Sequence, residues 1–360
     1  MNRREFIKTA SALAGVAATS SILEISAAEL PMPTPQKLPR WRGFNLLEKF
    51  TKYRGGNPPF QENDFIWMAE WGFNFVRLPM SYLCWTDPND WMKLEEKELA
   101  HIDQAVEFGR KHGIHVNMNF HRAPGYCVNP PKEPLDLWKD DKALDACAFH
   151  WGQFAKRYKG IPNNQVSFDL LNEPGDLKTE TYARVVKRLV ESIRAEDPQR
   201  LIIADGLRWG NKPVPKLLPL SLGQSTRGYQ PMRISHHKAN WVSGSDKWAE
   251  PTWPLEPGSK DTWNQERLRR ECILPWKDLE KKGGGVHVGE WGTYNRTPHK
   301  ATLAWMHDFL ELWKEAGWGW SLWNFRGSFG IMDSGRTDVA FEDFHGHKLD
   351  REILTLLQAW

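Results

Sequence analysis

Eight short apolar runs, each followed by a stretch of helical period, repeat without interruption from Trp41 to the C-terminus. That repetition constrains the fold more than any other feature of the chain. The candidate strands are 41–46, 73–78, 115–120, 166–171, 201–204, 225–229, 286–290 and 319–323. Amphipathic stretches with charged faces fill intervals such as 95–112, 140–158, 179–196, 263–282 and 299–316. Strand then helix, eight times over, predicts a single α/β domain of (β/α)8 TIM-barrel type over residues 41–360, not an open doubly wound sheet. A length of 360 residues suits one such domain. The interval 213–222, where the fifth helix belongs, is the least helical.

A barrel of this kind gathers its functional groups at the C-terminal ends of its strands. Arg77, His121, Asn172, Glu173, Tyr229, Glu290 and Trp323 all stand at such ends, so they are expected to converge on one cleft. The connections after the third, sixth and eighth strands are also long, as loops that shape a binding site tend to be.

Residues 1–28 read as an export segment. Arg3 and Arg4, followed by Phe6 and Lys8, precede a mildly apolar Ala-rich stretch ending at Ser26-Ala27-Ala28, the pattern of a twin-arginine signal with a small-residue cleavage site. Delivery to the periplasm or the extracellular space is expected. The proline-rich residues 29–40 then read as an extended linker. Of four cysteines, Cys147 and Cys272 fall in helical stretches and read as buried thiols, while Cys84 and Cys127 follow successive strands and are a candidate disulfide pair.

A formal net charge of +3 and the lack of a basic, aromatic-interleaved block leave no electrostatic case for nucleic acid. The N-terminal export segment is too short and too weakly apolar for a membrane span, and no membrane partner is expected. The 20 tryptophans exceed what a core needs, and about half are expected to pack the interior, leaving others to stack on the flat C–H faces of sugars.

Specific motifs sit at the strand ends. Asn172-Glu173-Pro174 closes the fourth strand and Gly289-Glu290-Trp291-Gly292 the seventh. Around them stand Asn74-Phe75-Val76-Arg77-Leu78-Pro79, His121-Arg122-Ala123-Pro124-Gly125 and Ser321-Leu322-Trp323-Asn324-Phe325. In this order, the motifs resemble those of glycoside hydrolase family 5, the cellulase family, from about Trp41 to the C-terminus. The resemblance implies a retaining β-glycosidase with Glu173 as general acid/base and Glu290 as nucleophile. That chemistry needs two carboxyl groups about 5–5.5 Å apart, one protonated and one ionised. Asp169, four residues before Glu173, is set aside as the acid.

The resemblance also implies that Arg77 and Tyr229 hold Glu290, that Asn172 binds the sugar 2-hydroxyl, that His121 lines the same subsite and that Trp323 forms the stacking floor. It implies neither cofactor nor metal, and a monomer acting on a polysaccharide or oligosaccharide. The strand-six region favours an endo-β-1,4-glucanase, whereas the His121 stretch resembles the β-1,3-glucanase branch; β-mannan and xyloglucan are the other substrates of the family. A catalytically silent sugar-binding barrel is the competing reading from another class.

One position departs from the pattern. The family's His-x-Tyr on strand six is Arg227-Gly228-Tyr229 here. A permanent cation aimed at Glu173 is expected to lower its pKa and weaken it as an acid, unless Arg227 turns toward substrate or Glu290, or Glu290 offsets its field. His236 and Trp241, in Ser235-His236-His237-Lys238-Ala239-Asn240-Trp241, are further substrate-contact candidates and a source of the missing imidazole. Glu48, Trp85, Trp248 and Trp253 are candidates for outer subsites or for loop packing.

Overall fold

Each apolar run forms a parallel strand: β1 (Arg42–Asn45), β2 (Phe75–Ser81), β3 (His115–Ala123), β4 (Val166–Asp169), β5 (Ile202–Asp205), β6 (Gly223–Gly228), β7 (Val286–Trp291) and β8 (Trp320–Leu322). In the computed structural model, which describes residues 30–360 except 54, 55 and 88, every strand pairs with its sequence neighbours, and β1 also pairs with β8. The sheet therefore closes into a (β/α)8 barrel with no unpaired edge. The expected signal segment, residues 1–28, lies outside the described residues.

The helices start and stop where local chemistry dictates. Glu96–His112 carries Glu96 and Glu98 in its first turn and Arg110, Lys111 and His112 in its last, each sign facing the complementary helix end. It stops at Gly113, and His299–Ala316 stops at Gly317, both left-handed with φ of 68° and 78°. The weakly marked fifth interval holds only a 3-10 turn, Pro215–Leu220, with Pro219 inside it. Proline has no N–H to donate, so a regular helix does not propagate there. Among the described residues, no helix is long and apolar enough to cross a membrane.

The proline-rich segment is tied to the barrel at two points. Leu38, Trp41, Phe75, Leu201 and Ile203 form a cluster of their own, with Trp41 stacked 4.0 Å from the His115 ring. Gly285 N donates to Pro35 O at 2.9 Å. Leu38 thus anchors the end of this segment by burying its side chain with Trp41, Phe75, Leu201 and Ile203, while Met32 stays 63% exposed. Ten of the 20 tryptophans are buried: Trp41, Trp67, Trp85, Trp151, Trp276, Trp291, Trp305, Trp313, Trp318 and Trp320. All four cysteines are free. The Cys84–Cys127 pairing does not form: Cys84 is buried with its thiol donating to Lys49 O, and Cys127 Sγ instead accepts from Asn129 N.

Candidate active site

The strand-end carboxylates are held by groups from five strands. Arg77, fully buried on β2, donates through Nη1 to Glu290 Oε1 at 2.5 Å and to Asn45 Oδ1 at 3.1 Å. Its Nε reaches Asp169 Oδ2 at 2.8 Å and its Nη2 reaches Asn172 Oδ1 at 2.8 Å. Burial opposes a charge on Arg77, but Asp169 and Glu290 outweigh it and raise its pKa. Asp169 lies below the glutamates as a partner of Arg77, with its own pKa raised by burial and then by the charge of Asp205. The Tyr229 hydroxyl donates to Glu290 Oε2 at 3.2 Å.

Glu173 sits just beyond β4 with φ of +51°, a left-handed conformation that costs a non-glycine residue on the order of 1–3 kcal/mol. Two contacts hold it there. Glu173 N donates to Asp205 Oδ2 at 2.8 Å, and Glu173 O accepts from the Tyr126 hydroxyl at 2.6 Å. The Glu173 side chain thereby faces Glu290 across Arg227.

Arg227 does point into the cleft. Its Nε donates to Glu173 Oε1 at 3.1 Å, and its Nη2 reaches Asn172 Oδ1 at 2.9 Å and Glu290 Oε1 at 3.4 Å. Both glutamates thus touch one guanidinium. The expected depression of the Glu173 pKa does not result, because burial first and the Glu290 charge second push it up by more than Arg227 pulls it down. A further partner was not foreseen: Asp205, at the end of β5, takes both Nη atoms of Arg227 with its two carboxylate oxygens.

Asn172 spends its carbonyl on Arg77 and Arg227, and its Nδ2 has no partner among the described residues, so its amide donors remain for a ligand. His121 is buried between Phe50, at 4.4 Å, and Trp323, stacked at 5.7 Å. Burial, then Arg77 and Arg227, hold its pKa well below the usual range, so the ring is neutral. Next to it opens a cavity of about 300 Å³, lined by Phe50, Tyr82, Trp91, His121, Arg122 and Glu133. His236 packs its ring edge-on to Tyr229 at 5.1 Å and to Phe329 at 5.6 Å. Burial lowers the His236 pKa to about 4. Trp241 is 55% exposed and lies one ring further out, against Tyr294 at 4.9 Å.

Arg77, Asn172 and Tyr229 therefore meet the paired glutamates directly or through one neighbour, His236 reaches Glu290 through Tyr229, and His121 and Trp323 contact Phe50 and each other. Trp85 is fully buried with its Nε1 on His150, and Trp253 donates to Asp308 on the outer helix His299–Ala316, so both are packing residues. Trp209 was missed. It is 49% exposed, and it and Arg208 both have positive φ, of 56° and 54°. Their backbone N–H groups donate to Pro174 O and Gly175 O, so the loop is fastened beside Glu173. Its legible signal was an aromatic residue just past a strand end. His307, Asp308 and Glu311 come close enough together to hold a metal, but they lie on that outer helix, away from the strand ends.

The model of the family described as Cellulase (glycosyl hydrolase family 5) matches residues 34–328. A solved structure described as that of a glycoside hydrolase is 41% identical, covers 89% of this chain and 99% of its own, and superposes with a TM-score of 0.84. Endoglucanase C of Acetivibrio thermocellus is 24% identical over 78% of this chain and 88% of its own length. Cellodextrinase A of Ruminococcus flavefaciens is 23% identical over 71% of this chain and 76% of its own.

Proposed function

Because the chain belongs to glycosyl hydrolase family 5 and acts on glycosidic bonds, we propose that it is a retaining, endo-acting β-1,4-glucanase with Glu290 as nucleophile and Glu173 as acid/base. The observation that carries the mechanism is the single guanidinium of Arg227 in contact with both carboxylates. That shared contact brings the two carboxylates to one side of the cleft, in keeping with the short separation that double displacement requires.

The steps follow from the donors. Glu290, fixed by Arg77 and Tyr229, attacks the anomeric carbon as a carboxylate while Glu173 gives its proton to the departing glycosidic oxygen. A glycosyl ester on Glu290 results. Glu173, now ionised, takes a proton from water; the hydroxide adds to the anomeric carbon and the ester C–O bond breaks, restoring both residues. Asn172 Nδ2 donates to the sugar 2-hydroxyl, a bond that strengthens in the transition state. His121 and Trp323 form the floor under the same sugar.

Endo action is favoured because aromatic surface lies on both sides of the glutamates. The backbone N–H of Trp323 donates to Trp291 O, beside the nucleophile, whereas the Trp209 ring lies against Gly175, beside the acid. A β-1,4-glucan is favoured by relatives named endoglucanase and cellodextrinase. The export segment at residues 1–28 belongs to the same reading, since polymeric glucan is met outside the cytoplasm.

A reducing-sugar assay of the mature protein on β-1,4-glucan, β-1,3-glucan, xyloglucan and β-mannan, beside Glu290→Gln, tests this. We expect the largest release from β-1,4-glucan, with oligosaccharides of mixed length appearing early. Release confined to another glycan contradicts the substrate assignment, and no release above the variant on any of them contradicts the activity.

A further inference from the structure

Arg227 stands where the family's histidine is expected, yet the surrounding structure is built to receive it. A Cβ on Gly289 would lie 2.8 Å from Arg227 Nη1, and one on Gly210 would lie 2.6 Å from Arg227 Cγ, so two glycines from separate elements leave space for its head and stem. Ser225 Oγ accepts from Nη1 at 2.9 Å. Asp205 is fully buried and uses both carboxylate oxygens on this guanidinium, while one of them also accepts from Glu173 N. A single carboxylate therefore neutralises the unusual cation and pins the strained backbone of the acid/base.

We propose that Asp205 is a positioning residue for Glu173, and that the Asp205–Arg227 pair does the work of the family histidine without removing the acid's proton. The inference rests on Glu173 being the acid/base. The charged and titratable groups facing Glu173 are Arg227, Asp205, Glu290, Arg77, Tyr126 and Tyr229, with Asp169 behind Arg77. Asp169 matches Arg77 and Asp205 matches Arg227, so the negative charge of Glu290 is left in excess and favours a proton on Glu173. Removing the Asp205 charge leaves Arg227 uncompensated, which favours ionised Glu173. Activity that needs protonated Glu173 is lost as pH rises through its pKa, so this change moves the alkaline limb to lower pH.

The test is the pH dependence of kcat/KM on a cello-oligosaccharide for the wild type, Asp205→Asn and Asp205→Asn/Arg227→His. In variants too slow to assay, the Glu173 carboxyl is titrated by 13C NMR with Glu173→Gln for assignment. One unit charge about 6 Å away in a medium of intermediate polarity corresponds to a shift of about one to two pH units. The limb of Asp205→Asn is expected to fall by that much, and the double variant to return to within about half a unit of wild type. A limb that does not move in Asp205→Asn overturns the proposal. If that variant fails to fold, the double variant decides alone, and a fall of a full unit there overturns the proposal. Inactive wild type on every glycan contradicts the proposed function; an active wild type with an unmoved limb contradicts only the role of Asp205.

Discussion

Glu290→Gln is expected to lower kcat on β-1,4-glucan by about 10⁴-fold or more, the scale seen when a covalent nucleophile is removed. Glutamine keeps the shape and can still meet Arg77 and Tyr229, so the fold should persist. It does not form the glycosyl ester. Changing the leaving group restores nothing, because the lost step is bond formation at the anomeric carbon. Initial rates with cellotetraose and with a dinitrophenyl β-cellobioside, together with the thermal midpoint, check this: both rates fall together while the midpoint moves by a few degrees at most. A dinitrophenyl substrate turned over at near wild-type rate would show that another group attacks.

Glu173→Gln separates the two substrates. An acid/base contributes typically about 10²–10⁴-fold, so hydrolysis of cellotetraose is expected to fall by that factor. Dinitrophenolate leaves without a proton, so formation of the glycosyl-enzyme from the dinitrophenyl glycoside is expected to stay within about tenfold of wild type. Water attack on the intermediate lacks its base, and a burst of phenolate followed by a slow steady state should appear. Rapid-mixing absorbance reads both phases. Equal losses on both substrates would place Glu173 outside proton transfer. The raised pKa of Glu173 gives the sign of the wild-type pH dependence: the acid form persists above the ordinary carboxylate range, and activity on poor leaving groups falls as pH rises through that raised value.

Much of this site was legible in the chain because strand ends in a closed barrel are geometrically equivalent. Arg77, Asn172, Glu173, Tyr229 and Glu290 were named as strand-end residues expected to converge, and their donors and acceptors do meet, with Arg227 completing the network. Apolar runs buried on both faces made the strands readable, and glycines at helix ends made boundaries such as Ala316–Gly317 readable. Other features depend on contacts between distant residues. Asp205 closes β5 one residue beyond the expected strand, and nothing local says that it meets Arg227, 22 residues later. The left-handed turn at Arg208 and Trp209 is set by hydrogen bonds to Pro174 and Gly175, not by a glycine at either position. Proline content marks residues 29–40 as extended, but nothing local says that Leu38 packs with Trp41, Phe75, Leu201 and Ile203.

The net upward shift at Glu173 shows how magnitudes decide between opposing effects. An adjacent guanidinium alone would draw the carboxyl toward ionisation, yet burial and the facing Glu290 outweigh it. Asp205 belongs on the same side of the balance, as a fixed negative charge already committed to Arg227.

The central claim is that Glu290 becomes covalently attached to the sugar. A 2-deoxy-2-fluoro-β-cellobioside with a dinitrophenolate leaving group slows both steps but allows the first to run faster than the second, so the intermediate accumulates. Peptide mass spectrometry of the inactivated protein is predicted to find one fluorocellobiosyl group, on Glu290. A label on any other residue, or release of phenolate with turnover and no label at all, would contradict the account.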